Sequence, residues 1–322
     1  MHKDYLKGVF FCLVATLAWG GMFPVMTDAL KNIDPFTFTA LRYSIAGTVF
    51  IFLLYSREGS DSLKLKHERI LLLWALGTAG FAGFGFLVFW GQQLAGASGA
   101  LTASIMMATM PLLGLLVNWV IRGVRPPIFS FGFITLSFFG VALVITKGHI
   151  ADIFSTPQNY SANIPLILGA LCWVVYTVGA SFFPKWSPYR YTAVTTLLGL
   201  TSIFVIVFIL IGASYIKLPT APAVIAITPH LLYMSLVAGF IGVLSWNLGN
   251  KIITPMNGVL FMDVVPVTAF TISTFNGIVP ENSQILGACI TATALIFNNL
   301  YQRRRMLQKA NVESGAFAIR RI

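Results

Sequence analysis

GFIGVLSWNLGNKIITPMNGVLFMDVVP, residues 239–266, decides how this chain is read. The stretch holds one apolar helix, a break at Thr254–Asn257 and the first half of a second apolar helix. Trp246, Asn247, Asn250 and Lys251 crowd the end of the first helix, and Asp263 lies inside the second apolar run. Polar groups at membrane depth are costly, so they are buried against protein or water and are often functional. The rest of the chain reads as scaffold around this stretch and its counterpart in the first half.

Composition excludes a soluble globule. Of 322 residues, 57% are hydrophobic and 10% charged, with a mean hydropathy of +0.82; soluble domains carry about 25% charged residues. The apolar runs are close to the length that spans a bilayer as a helix and far longer than barrel strands. The expectation is an all-α membrane protein. Its net charge of +11 lies in short loops and a C-terminal tail, which points to a membrane surface and not to nucleic acid. Cys12, Cys172 and Cys289 lie far apart in apolar runs without a CxxC spacing. They read as small buried residues, with no haem, zinc or iron–sulfur signature and no cofactor. Met1–Lys7 and the run after it resemble a signal peptide, but lack a small-x-small cleavage site. They are expected to remain as an uncleaved first helix.

Ten spans are predicted, at 8–28, 36–56, 70–94, 99–121, 128–147, 164–183, 190–213, 230–252, 258–277 and 283–302. With a cytoplasmic N-terminus, only Lys31, Lys147 and Lys217 fall outside; Arg42 lies within a span and the remaining Lys and Arg fall inside. The positive-inside bias therefore places both termini in the cytoplasm. Two halves resemble each other in order. PFTFTA (35–40) opens the second span and PYRYTA (188–193) the seventh; Trp19 matches Trp173, and Pro111 matches Pro266. Five spans per half force the second copy to enter the membrane in the opposite sense. Such inverted repeats with interrupted helices mark secondary transporters, with the substrate between the repeats near the midplane. The expected organisation is a first repeat at 1–147, an external linker at 148–163, a second repeat at 164–302 and a basic cytoplasmic tail at 303–322, set against the anionic inner leaflet.

LAWGGMFPV (17–25), PFTFTALRYSIAG (35–47), GASGALTASIMMATMP (96–111), LCWVVYT (171–177) and SWNLGN (245–250) resemble the drug/metabolite transporter superfamily, in its ten-helix EamA-type members. The Trp of helix 1, the Trp-x-x-Tyr of helix 6 and the Trp-Asn of helix 8 are most similar to amino-acid exporters of the YddG type. The resemblance implies a central cavity within helices 1–4 and 6–9, with helices 5 and 10 peripheral. It implies no covalent chemistry and no ATPase. The chain accordingly shows no GxxxxGK[ST], HExxH or nucleophile-triad spacing, so no enzyme is expected.

Helical spacing sets the candidate wall of that cavity. Gly242, Trp246 and Asn250 share one stripe, with Asn247 and Lys251 on the next. Phe86, Trp90 and Gln93 are taken as one face of helix 3, Trp173, Tyr176 and Thr177 as one of helix 6, and Trp19 and Phe23 as one of helix 1. Tyr43 follows Arg42 in helix 2 and is expected in the cavity too. Aromatic rings and a few amides suit a small zwitterion with an apolar side chain, the rings attracting its ammonium. The bland alternative is an interfacial belt, assigned to Trp74, Trp119 and Trp186 near span ends. Pro111 and Pro266 free the carbonyls of Met107 and Met262 and read as paired hinges. Asp263 keeps three readings: a proton-coupling carboxylate, a ligand for substrate ammonium, or an ion-pair partner of Lys251. Arg42 is expected to snorkel to the external surface, with carboxylate binding as the other reading. The partners expected are a small-molecule substrate, an amino acid first, and the lipid of a bacterial inner membrane; the oligomeric state is open, with a monomer the simplest case. Reporter fusions check the topology: a cytoplasm-active reporter is expected to work at both termini, and a periplasm-active one at neither.

Overall fold

A computed structural model describes residues 2–66, 68–96, 99–107, 109–123, 125, 128–149, 161–253, 258, 261–262, 264–275, 277, 281–294, 296–297, 300–301 and 304. Among these the chain is helical with no strand. The helices are α1 (His2–Ala29), α2 (Pro35–Glu58), α3 (Ile70–Leu94), α4 (Gly99–Met107 and Met110–Arg122), α5 (Ile128–Thr146), α6 (Asn163–Gly179), α7 (Pro188–Gly212), α8 (Ala221–Ile253), α9 (Val264–Phe275) and α10 (282–294). Six are long and apolar enough to cross a membrane, and the bent pair of α4 makes a seventh. α5, α9 and α10 are shorter as described and lie within the remaining predicted spans.

The local reasons are visible in the sequence. Asp34 caps α2 by accepting from the backbone N–H of Phe36 at 3.0 Å and Thr37 at 2.8 Å. Ser187 caps α7 in the same way, accepting from Arg190 N at 3.0 Å. A proline follows each cap, at a position where the missing N–H costs nothing. The matched hexapeptides of the two halves are thus matched helix starts. Thr220 caps α8, which starts nine residues before the predicted start of that span. The Pro- and Ala-rich residues read as loop belong to helix instead. Pro229 lies inside this helix, as prolines do in membrane helices more often than in soluble ones.

Pro111 also sits at a helix start. α4 bends by 42° and resumes at Met110, with Pro111 second. α9 is described from Val264, with Pro266 its third described residue. In α4 the bend precedes Pro111, whose ring then begins the resumed helix without losing a bond. Asp263 and the Thr254–Asn257 break lie outside the described residues.

Each half leans on the other. The first helix of one half packs on the third and fourth helices of its counterpart: α1 on α8 and α9, α6 on α3 and α4. α2 crosses to α7 and α8. α5 and α10 pair at the side, where Thr291 Oγ1 donates to Ser137 O at 3.4 Å. α3 and α8 each contain a π-helical stretch, Thr78–Gly83 and Tyr233–Gly242. Such wide turns inside α-helices cluster at functional sites. Each stretch brings a glycine against a ring of the other half. A Cβ on Gly80 would lie 2.6 Å from Tyr176 Cγ, and one on Gly242 would lie 2.7 Å from Trp19 Nε1. Tyr176 is stacked on Tyr191 and cannot retreat. Gly80→Val is therefore expected to cost about 1–3 kcal/mol, read as a lower melting temperature of the purified protein; an unchanged melt would show that α3 and α6 are not in close contact.

Candidate functional site

An unbroken chain of rings crosses the bundle. Tyr43 meets Phe81 with centroids 5.0 Å apart, Phe81 meets Tyr176 at 5.2 Å, Tyr176 meets Trp173 at 5.0 Å, and Trp19 meets both Trp173 and Trp246 at 5.3 Å. Tilted and edge-on pairs of this kind add about 0.5–1.5 kcal/mol each beyond area burial. Trp19, Tyr43, Trp173, Tyr176 and Trp246 are all buried. Trp19, Arg42, Tyr43, Phe84, Trp173 and Met262 line part of a cavity at the centre, closed down to about 10 Å³. That is room for about one water.

A larger vestibule of about 270 Å³ opens beside it, lined by Thr177, Trp186, Tyr191, Asn247, Asn250 and Lys251, among others. It lies at the end of the bundle that carries the α6–α7 loop, where the charge bias predicts the cytoplasm. A hydrogen-bonded layer separates the two spaces. Trp246 Nε1 donates to Thr177 Oγ1 at 3.2 Å; Asn247 Nδ2 donates to Tyr176 OH at 2.8 Å and to Thr192 Oγ1 at 2.7 Å. α8 is thereby fastened to α6 and α7. Asn250 Nδ2 is spent on Trp246 O at 2.9 Å, and Lys251 Nζ reaches Pro184 O at 2.7 Å, tying α8 to the α6–α7 loop.

Two predicted lining residues fall elsewhere. Trp90 is half-buried and lines neither space; Gln93 is exposed. Their neighbour Gln92 faces inward and donates from Nε2 to Phe23 O at 2.7 Å and Thr27 Oγ1 at 2.9 Å. One residue turns a helix by about 100°, and in a run as apolar as Phe84–Leu94 the pattern marks no inner face. Trp186, assigned to the belt, is buried; its Nε1 donates to Glu68 at 3.1 Å and the Arg190 guanidinium lies 4.0 Å over its ring.

Arg42 is the largest correction. It does not snorkel: it is 1% exposed, beside the central cavity. Arg42 Nε donates to Met234 O at 2.8 Å, and Trp19 Nε1 donates to Ala238 O at 3.0 Å. Both acceptors belong to the π-helical stretch of α8. A carbonyl has two lone pairs, and the wide turn presents one of them sideways. The guanidinium also lies 4.8 Å from the Tyr43 ring and 5.6 Å from that of Phe89. A charged residue six positions inside an apolar span was the signal available in the sequence. Its direction was not, because a long stem permits either outcome.

A helical membrane bundle with interrupted helices around a central chamber defines a transporter class. The chain belongs to the EamA-like transporter family, whose model matches it twice, at residues 6–146 and 161–300. It is 37% identical over 306 residues to the uncharacterized transporter YrdR of Bacillus subtilis (strain 168), covering 94% of this chain and 95% of that one. An uncharacterized transporter of Archaeoglobus fulgidus is 28% identical over 234 residues, covering 71% and 75% of the two chains. A solved crystal structure shares the fold, with a TM-score of 0.65 at 20% identity over 92% of this chain and 98% of that one.

The layer between vestibule and chamber is testable. Asn247→Ala removes two interhelical bonds, together about 1 kcal/mol, which shifts the open fraction roughly fivefold. A cysteine placed at Met22, in a background lacking the native cysteines, is expected to react about fivefold faster with a maleimide. An unchanged rate would show that another contact closes the chamber.

Proposed function

We propose that this chain exports neutral and aromatic amino acids across a bacterial inner membrane by alternating access, through ten helices in two inverted repeats with both termini cytoplasmic. The observation that carries the proposal is the pair of spaces divided by the Trp246–Asn247 layer, a vestibule on one side and an aromatic chamber on the other. A simple pore would join them; a carrier closes one while the other is open.

The walls support the substrate class. Trp19, Trp173 and Phe84 offer ring faces to an apolar side chain, and Tyr43 and Arg42 offer polar contacts. Closure of the chamber to about 10 Å³ means that loading it requires the helices to part. Three hydrogen bonds hold the layer, worth roughly 2 kcal/mol together at the average for bilayer helices. Differential binding of a substrate supplies that much. Pro111, just after the bend of α4, and Pro266 in α9 act as hinges, and the Lys251–Pro184 contact fastens the cytoplasmic end in this state.

A counterflow screen in proteoliposomes with labelled amino acids tests the proposal. Uptake of neutral or aromatic amino acids is expected, and Trp173→Ala is expected to lower it severalfold through loss of a stacking face. Uptake of some other metabolite, with none of any amino acid, would overturn the substrate class and leave a transporter of the same family.

A further inference from the structure

We infer that Arg42, Tyr43 and Trp173 form an anchor for a carboxylate, which makes the substrates organic acids with a single carboxylate and an apolar body. The inference rests on the chain being a transporter, and it narrows what the chamber accepts. Three polar atoms around the chamber have no hydrogen-bond partner among the described residues: Arg42 Nη1, Tyr43 OH and Trp173 Nε1. All three residues line the same cavity, and all are at least nine-tenths buried. Seven other buried side-chain atoms, among them Gln92 Oε1, Ser235 Oγ and Asn250 Oδ1, also lack a partner among the described residues, but their residues do not line this cavity. The principal buried donors near it are spent on helix contacts. Gln92 Nε2, Asn247 Nδ2 and the indoles of Trp19 and Trp246 each have an acceptor.

The chemistry of these atoms is one-sided. A guanidinium and an indole N–H only donate, and a phenol donates as readily as it accepts. Arg42 spends Nε on Met234 O, which holds the guanidinium plane and leaves Nη1 for another acceptor. Among the described residues no Asp or Glu forms an ion pair with Arg42. A buried charge without a counter-ion is among the most costly groups in a membrane protein. An arriving anion offsets that cost only while bound, which is the differential interaction a carrier needs between its loaded and unloaded states.

The charge count selects the anion. One guanidinium matches a carboxylate. A phosphate monoester carries about −1.5 to −2 and would bring uncompensated charge into an aromatic chamber. No described carboxylate lines the cavity to hold an ammonium, so the anchor takes acids with or without an amino group.

The test compares matched ligands on the full-length protein by thermal shift and by competition in counterflow. The set is a neutral amino acid, its amide, the corresponding acid without the amino group, and a phosphate monoester of similar size. Both acids are expected to bind about tenfold to a hundredfold better than the amide, the range for one charge-assisted hydrogen bond. Arg42→Gln should erase the difference between acid and amide, and Arg42→Lys should retain part of it. If Arg42→Gln does not fold, the ligand series on the natural protein decides alone. Equal binding of acid and amide, preference for the phosphate monoester, or no effect of any carboxylate overturns the anchor. Transport of amino acids together with their amides would overturn it while leaving amino-acid export standing. Binding of amino-less acids without amino-acid uptake would do the reverse.

Discussion

Two side-chain donors end on one widened turn of one helix, and the interior depends on it. Arg42 Nε and Trp19 Nε1 come from α2 and α1 and meet the carbonyls of Met234 and Ala238 in α8. Tyr233 OH returns the contact, donating to Ala18 O at 2.9 Å. In hydrocarbon there is no water to satisfy such groups, and these three donors end on backbone carbonyls instead. A regular α-helix hides its carbonyls along its own axis. The π-helical stretch turns them outward, and so a guanidinium and an indole can be fixed at the centre of an otherwise apolar bundle.

That turn also sets the chamber. Gly242 closes the π-helical stretch and admits the Trp19 indole, which then touches both Trp173 and Trp246. The other half repeats the device, with Gly80 in the stretch of α3 and Tyr176 as the ring. Small residues where backbones approach rings are how membrane helices pack when no hydrophobic force draws them together. The same contacts that hold the halves together thus build the aromatic wall, which leaves the central chamber at the seam between them.

Around the vestibule the fastening is polar. Asn247 joins α8 to α6 and α7, and Lys251 joins it to the α6–α7 loop. Arg190 crosses to the loop after α2, donating to Ser62 O at 2.8 Å and Lys64 O at 2.9 Å, with Glu68 at 3.3 Å. Hydrogen bonds of this kind are individually weak and exchange readily for water in a vestibule.

Composition and periodicity alone determined that the chain is a helical membrane protein, where most helices lie, and that its halves match. Those conclusions need only hydropathy and repeated short motifs, all of them local. Asp34-Pro35 and Ser187-Pro188 could be read as helix starts because capping is decided within four residues. Which side of a helix faces inward was not local. In α3 nearly every side chain is apolar, so Gln92 and not Gln93 turned inward for reasons that lie in α1. Arg42 had a stem long enough to reach the surface, and only the carbonyl of Met234, 192 residues away, decided that it stays inside. The π-helical stretches left no trace in hydropathy, since one extra residue per turn changes a helix's bonding and not its composition. The site lies where those two facts meet, in contacts between halves that only the folded chain brings together.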